Sequence, residues 1–253
     1  MSGHSKWATI KRKKGATDAA RGRLFTRLIK EITIAARSGG GNPDGNPRLR
    51  LAIQTAKQSN MPADNIKRAV QKGTGELPGI AYEEVTYEGY GPGGVAILVD
   101  VVTDNINRAV SEMRHVFSRN NGNLGQAGSV AWMFHKKGTI SIPKNGQKSN
   151  VSEDDILTII LDAGADDMQT EGEEYTITTS PHSFEAVKKA LEDKGIVLEN
   201  SSLQMVPQNT VKVAGKEAEQ TLKLMEALEE HDDVQNVYAN FDIDEKELAS
   251  FNG

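Results

Sequence analysis

The spacing of apolar residues changes near Gly79, and this change limits the chain to a fold with two kinds of region. Before Gly79 the apolar residues recur with the period of helices, and after it strand-like runs alternate with helix-like runs. Mixed sheets with helices on one face are expected from this alternation, which is typical of an α+β protein. The length of 253 residues fits about two domains, and three small ones are compatible with it.

The first region is predicted to contain a basic arm and three helices. The first helix runs towards Arg37 and ends in the loop SGGGNPDGNP (38–47), because Gly and Pro continue a helix poorly. Asn46 and Pro47 are typical of the cap and first position of a second helix. A third helix is predicted to begin at Asp64, after the break at Pro62.

In the second region, runs rich in β-branched residues predict the strands. Tyr82–Glu88 and Val95–Val102 are predicted strands, and Trp132–Phe134 with Thr139–Ile142 is predicted to form a hairpin. A further strand is expected to start at Ile196–Leu198.

Charge is divided unequally along the chain. Residues 1–74 carry 16 Lys and Arg against 4 acidic residues, a net charge of +12, whereas residues 75–253 carry 14 against 31, a net charge of −17. A basic head on an acidic body indicates that the head meets a polyanion. The acidic body is expected to repel nucleic acid, which would confine contact to the head.

The first predicted helix has a cationic face opposite its apolar face. Arg23, Arg27, Lys30 and Arg37 fall on one side at 100° per residue, and Phe25 and its apolar neighbours fall on the other. We therefore expect this cationic face to lie open against phosphates. Phosphate contacts give affinity through counterion release without selecting a sequence, so duplex DNA and structured RNA both remain open as ligands.

The arm adds a run of four cations and one tryptophan, which is expected to stack on an exposed base or a sugar. The alternative interpretation is a solvated charge run, with the tryptophan packed against the helices. The predicted nucleic-acid contacts are Lys6, Trp7, Lys11, Arg12, Lys13, Lys14, Arg21, Arg23, Arg27, Lys30, Arg48, Arg50, Lys57, Lys67 and Arg68.

The sequence gives no evidence for catalysis, a cofactor or a metal. GYGPGG (89–94) matches a dinucleotide-binding pattern, but a predicted strand follows it where a helix is needed, so we expect a strand connection. The five histidines lie far apart without metal-ligand spacing, and His231-Asp232-Asp233 is interpreted as a solvated helix end. No Cys and no apolar run of membrane-spanning length are present, which favours a cytoplasmic protein.

Four stretches resemble the YebC family and are specific to it. They are MSGHSKWATIKRKKGATDAARGRLFTRLIKEI, GGGNPDGNPRLRLAIQTAKQSNMPADNIKRAVQKGTG, YEEVTYEGYGPGGVAILVD and TDNINRAVSEMRHVFSRNNGNLGQAGSVAWMF. The resemblance implies three domains around a cleft, a helical one and two α+β domains, the third inserted into the second. On this sequence the implied bounds are 1–78, then 79–130 with 207–246, and 131–206.

Members of this family are generally described as DNA-binding transcriptional regulators, and some resemble translation factors that act on the ribosome. The leading hypothesis is therefore a non-enzymatic regulator of gene expression that binds DNA through its basic head. The first alternative is a ribosome-associated translation factor that binds ribosomal RNA through the same head. A cleft enzyme and a protein-interaction scaffold are further alternatives, and the sequence leaves the oligomeric state open.

Overall fold

A computed structural model describes residues 18–145, 152–244 and 247 of the chain. The helices in these residues are α1 Asp18–Gly39, α2 Pro47–Gln58, α3 Ala63–Thr74, α4 Ile106–Arg119, α5 Glu153–Asp162, α6 Phe184–Asp193 and α7 Gly215–Glu229. The strands are β1 Glu83–Tyr90, β2 Ala96–Thr103, β3 Asn123–Leu124, β4 Phe134–Pro143, β5 Ala165–Glu171, β6 Glu174–Thr179, β7 Asn200–Pro207, β8 Val211–Lys212, β9 Val234–Ala239 and β10 Phe241–Asp242. None of these helices is long and apolar enough to cross a membrane.

The predicted α+β fold is confirmed, and the described residues divide into two compact units. One unit holds residues 132–212 and 240–242, and the other holds the described residues before 132, those from 213 to 239, and those after 242. All pairings in the two four-stranded sheets are antiparallel. Among the described strands, β8 and β10 pair in parallel. The domain bounds implied by the family resemblance stay a prediction.

The three head helices form as the sequence predicts. The side chain of Asn46 accepts a hydrogen bond from the N–H of Leu49 at 3.1 Å, and Pro47 opens α2, where its missing N–H is not needed. The buried core between the helices is small, with few large side chains. It consists of Leu28, Ile32, Ala35, Ala36, Leu49, Ala52, Ala56, Met61, Ile66 and Ala69.

Gly73 allows α1 and α3 to pack closely. A Cβ atom at this position would lie 2.4 Å from the carbonyl oxygen of Thr33 and 2.7 Å from the Cβ of Ala36, closer than real atoms approach. The two helix backbones therefore approach each other at the position where one side chain is missing.

The sheet of the same unit has the strand order β3-β1-β2-β9. Gly89 on β1 contacts the ring of Phe117 on α4, which places α4 against that face of the sheet. The GYGPGG segment forms a tight turn at Pro92–Gly94 between β1 and β2, so the expected strand connection is confirmed. Gly93 adopts a φ of 69° there, which favours glycine.

The other unit has the order β4-α5-β5-β6-α6-β7 along the chain and β5-β6-β4-β7 across the sheet. This is the split βαβ arrangement of ferredoxin-like domains. Its core lies between the sheet and the two helices, as shown by the contact of Gly138 on β4 with Phe184 on α6. The core residues include Ile140, Ile142, Ile156, Ile160, Ile177, Phe184, Val187 and Leu191.

Two strand predictions in this unit are wrong. The predicted hairpin of Trp132–Phe134 with Thr139–Ile142 is one continuous strand, β4, preceded by a short turn at Ala131–Met133. Gly138 does not make a turn between two strands but lies within β4, where Phe184 leaves no room for a side chain. The strand expected at Ile196–Leu198 begins instead at Asn200.

We expect Gly73→Ala to destabilise the protein by about 1–3 kcal/mol, because the added methyl group overpacks the contact between α1 and α3. Gly22→Ala is the matched control, because Gly22 also lies in a helix but has nothing within 4 Å of an added Cβ. The control should stabilise by about 0.5–1 kcal/mol, the helical preference of Ala over Gly. Denaturant unfolding of both variants measures the difference, and equal effects would contradict the close contact.

Candidate nucleic-acid interface

The structure divides the predicted contact residues into three groups. Lys6, Trp7 and Lys11 to Lys14 lie outside the described residues. The second group makes contacts within the protein, and the third is exposed. Only the second and third groups have a described environment.

Lys30 belongs to the second group and is a buried side chain, only 6% exposed. Its Nζ donates hydrogen bonds to Asp233 Oδ1 at 2.6 Å and to the carbonyl oxygens of Val102 and Asp232 at 3.1 and 2.9 Å. Three acceptors therefore surround the ammonium group, and Tyr82 presents its ring at 5.6 Å. In this position Lys30 cannot reach a phosphate.

Arg23 and Arg27 face the same acidic segment as Lys30. Arg23 forms an ion pair with Glu230 at 3.3 Å, and Arg27 donates to the carbonyl oxygen of Glu229. Burial lowers the pKa of Arg27, although the charge of Glu229 opposes this shift. The cationic face of α1, expected to be open, thus lies against residues 229–233.

Asp233 is the centre of this contact. Its carboxylate also accepts hydrogen bonds from Thr103 and Arg108, both at 2.9 Å. Burial alone would raise the pKa of Asp233, but the hydrogen bonds from Lys30, Arg108 and Thr103 outweigh it, so the pKa lies below its usual value. The carboxylate is therefore ionised and joins the head helix α1 to β2 and to the start of β9.

The interpretation of His231-Asp232-Asp233 as a solvated helix end needs correction at Asp233, which is 6% exposed. The sequence contained one indication that Asp233 is buried, since it directly precedes Val234 at the start of an apolar strand. Proximity to Lys30 could not be inferred, because 203 positions separate the two residues.

Arg48 makes a second bridge between the head and the sheet. Its guanidinium bonds to Glu31 on α1 at 2.7 and 2.9 Å and to Glu84 on β1 at 3.1 Å. The hydrogen bonds that Arg48 donates to both carboxylates raise the pKa of Arg48. Its charge is thus matched by two acids, which leaves little attraction for a phosphate.

The third group is exposed on the outside of the helical head. Lys57 on α2 and Lys67 and Arg68 on α3 are exposed and have no carboxylate partner among the described residues. The guanidinium of Arg50 donates to the carbonyl oxygens of Pro43 and Asp44. Arg21 lies 5.4 Å from the ring of Phe25, with its charge facing solvent.

One cluster of the described residues resembles a metal centre in composition. Glu112, His231 and Asp233 offer ligand atoms within 4.8 Å of one another. The N–H of Asp233 donates to His231 Nδ1 at 3.1 Å, so Nε2 carries the ring proton and donates it to Glu112. Lys30 and Arg108 already form ion pairs with the carboxylate of Asp233. A proton and two cations therefore take the positions that a metal ion would need.

Comparison with known proteins matches almost the whole chain to one family. The family model described as "TACO1/YebC protein N-terminal domain" matches residues 5–76. A second family model, described as "TACO1/YebC second and third domain", matches residues 82–241. This division agrees with a helical first domain followed by two α+β domains.

Related proteins match this chain over almost its full length. The chain is 58% identical over 250 residues to a "probable transcriptional regulatory protein" of Solibacter usitatus, covering 99% of both chains. It is 56% identical over 251 residues to a protein of the same description in Chlorobaculum parvum, covering 99% of this chain and 98% of the other. The crystal structure of a conserved hypothetical protein from Aquifex aeolicus is similar, with 48% identity, a TM-score of 0.80 and coverage of 90% and 93%.

We expect Asp233→Asn to destabilise the protein by about 3–5 kcal/mol, because it leaves Lys30 buried without a counter-charge. Glu230→Gln is the control, since it removes the partner of Arg23 in a largely exposed pair and should cost about 1 kcal/mol or less. Both are measured by denaturant unfolding near pH 7.

The pH dependence of stability tests the ionised state of Asp233 independently. Because the folded pKa of Asp233 is lowered, its contribution is present above the unfolded value of about 3.9 and is lost as pH falls through the folded value. The difference in the free energy of unfolding between the native protein and Asp233→Asn should therefore be constant above about pH 5 and should become smaller in more acidic solution. A difference that does not change with pH would count against an ionised Asp233.

Proposed function

The chain belongs to the TACO1/YebC family, and we propose that it is a nucleic-acid-binding regulator of gene expression that acts by binding rather than by catalysis. Its relatives in Solibacter usitatus and Chlorobaculum parvum are named probable transcriptional regulatory proteins. This supports a regulatory role and makes duplex DNA the leading ligand. We place this activity in the cytoplasm.

The observation that carries the proposal is the set of exposed cations on the helical head. Lys57, Lys67 and Arg68 have no acidic partner among the described residues, and Arg21 and Arg50 are also exposed. The proposed interface consists of these five residues and the arm with Lys6, Trp7 and Lys11 to Lys14. Arg23, Arg27, Lys30 and Arg48 are left out, because each lies against an acidic residue of the protein itself.

Binding of this kind depends on phosphate charge more than on base sequence. Among the described residues, the exposed cations of this interface lie on the two short helices α2 and α3 and at Arg21 near the start of α1, whereas Lys30 on α1 lies against the sheet. The arm precedes them in the chain. Such a surface can follow a sugar–phosphate chain, and each cation that contacts a phosphate releases a counterion. The affinity should therefore fall steeply with salt.

We expect the quadruple variant Arg50→Gln, Lys57→Gln, Lys67→Gln, Arg68→Gln to bind duplex DNA more weakly. The slope of log affinity against log salt should decrease by about 0.9 for each phosphate that the variant no longer neutralises. The control replaces four exposed lysines of the other unit, Lys136, Lys189, Lys194 and Lys212, with Gln, which gives the same change in net charge. Equally weakened binding in the two variants would assign the effect to net charge and would contradict the proposed surface.

Deletion of residues 1–17 tests the arm separately, because it removes five cations and leaves the described residues intact. We expect weaker binding and a smaller salt slope, since fewer counterions are released. The full-length protein with Gln at Lys6 and at Lys11 to Lys14 is the control for chain length and should behave like the deletion. An unchanged salt slope in both proteins would exclude the arm from the interface.

The polyanion itself is identified by comparing two ligands. Sedimentation of the protein with ribosomes through a gradient is compared with its binding to duplex DNA at physiological salt. Tight binding to DNA without co-sedimentation would support the transcriptional role. Co-sedimentation with weak DNA binding, sensitive to the quadruple variant, would favour ribosomal RNA through the same residues.

A further inference from the structure

The two edges of the ferredoxin-like sheet differ in charge. At one edge, β5 carries Asp166 and Asp167 and has an irregular register next to Ala165. At the other edge, β7 has the sequence NSSLQMVP, eight residues without a charge. Charges and bulges are the usual protection of edge strands against pairing with another chain, and the register of β7 with β4 runs from Asn200 to Pro207 without a shift.

The register of β7 shows which of its backbone groups point away from the sheet. The N–H of Gln208 donates to the carbonyl oxygen of Met133, and hydrogen-bonded pairs alternate along an antiparallel ladder. The backbone groups of Ser202, Gln204 and Val206 therefore bond to β4. Those of Ser201, Leu203, Met205 and Pro207 point outwards.

The outward groups form a regular row of three donors and four acceptors, since proline has no N–H. Among the described residues, no hydrogen bond is made by the N–H groups of Ser201, Leu203 or Met205. The strand is also accessible, because Ser201 to Pro207 are all partly exposed. Pro207 ends the row in a position where its missing donor disturbs no ladder bond.

We propose that β7 is a docking edge that binds an extended segment of a partner protein as a fifth strand. The main-chain groups of Ser201, Leu203 and Met205 would supply the hydrogen bonds, as in other cases of strand addition. This goes beyond the proposed function, because the site lies in the ferredoxin-like unit and not in the basic head.

The charge of this unit selects the kind of segment. Residues 132–212 carry 8 Lys and Arg against 13 acidic residues, a net charge of −5, so an incoming strand without acidic residues is favoured and a second copy of this unit is repelled. The register places Thr139, Thr178 and Ser202 on the face of the sheet opposite the helices, where the strands carry no Phe, Tyr or Trp to stack on a base. The occupant is therefore a neutral or basic β-forming peptide segment.

The probe for this site is the blocked peptide Ac-KTVTVTVTK-NH2, which is β-forming and lacks acidic residues. Amide hydrogen exchange of the full-length protein is followed by NMR with and without the peptide. At a peptide concentration of ten times Kd, exchange at Ser201, Leu203 and Met205 should slow about tenfold, because only the free fraction exchanges. The acidic edge strand β5 should show no change.

The matched variants differ in the outward donors only. Ser201→Pro with Met205→Pro removes two of the three donors without touching the bonds to β4, whereas Ser201→Thr with Met205→Thr keeps them. The Pro variant should bind the peptide about tenfold or more weakly, and the Thr variant should bind as the native protein does. The same peptide with N-methyl groups on alternate residues tests the bonds from the other side if the Pro variant does not fold.

Several results would overturn the proposal. These are equal binding to the Pro and Thr variants, undiminished binding of the N-methylated peptide, or no binding at millimolar peptide. Protection of the three amides in the free protein that rises with protein concentration would show that a second copy occupies the edge. DNA binding of the Pro variant should be unchanged, so failure here and failure of the proposed function are distinguished.

Discussion

The buried ion pair between Lys30 and Asp233 is the contact on which the arrangement of the basic head depends. A charged lysine that is only 6% exposed is stable only where acceptors replace water, and Asp233, Val102 and Asp232 supply them. Because Asp233 also bonds to Thr103 and Arg108, the head helix is joined to the end of β2 and to the segment before β9 at one point. Displacing α1 would leave charges on both sides without partners.

This contact also decides which positive charges remain for a ligand. Arg23, Arg27 and Lys30 lie against residues 229–233, and Arg48 lies between Glu31 and Glu84. The exposed cations of α2 and α3 have no such partners among the described residues, so the exposed positive charge of the head lies on these helices and at Arg21, and not on the face of α1 that contacts residues 229–233. The acidic body thus binds one face of the basic head, in addition to the repulsion of nucleic acid that its net charge leads us to expect.

The two edges of the ferredoxin-like sheet differ in the features that hinder or permit pairing with another strand. The carboxylates of β5 make pairing with another strand costly, whereas β7 presents an uncharged row of main-chain groups. A regulator that binds a polyanion with one unit and a protein segment with the other would connect a nucleic acid to a protein partner. The two surfaces lie in different units and can be altered independently.

The amino-acid sequence by itself determined the local features: the three head helices, the Asn46 cap, the turn at Pro92–Gly94 and the α+β class, because they depend on neighbouring residues and on periodicity. It also determined the division of charge between head and body, which follows from the order of charged residues along the chain. Only the tertiary structure decided which cations are open, because the helical period gives the direction of Lys30 but not that Asp233, 203 positions away, lies opposite it. The same holds for Gly138, whose place inside β4 depends on Phe184, and for β7, whose position at an edge depends on the order of strands in the sheet.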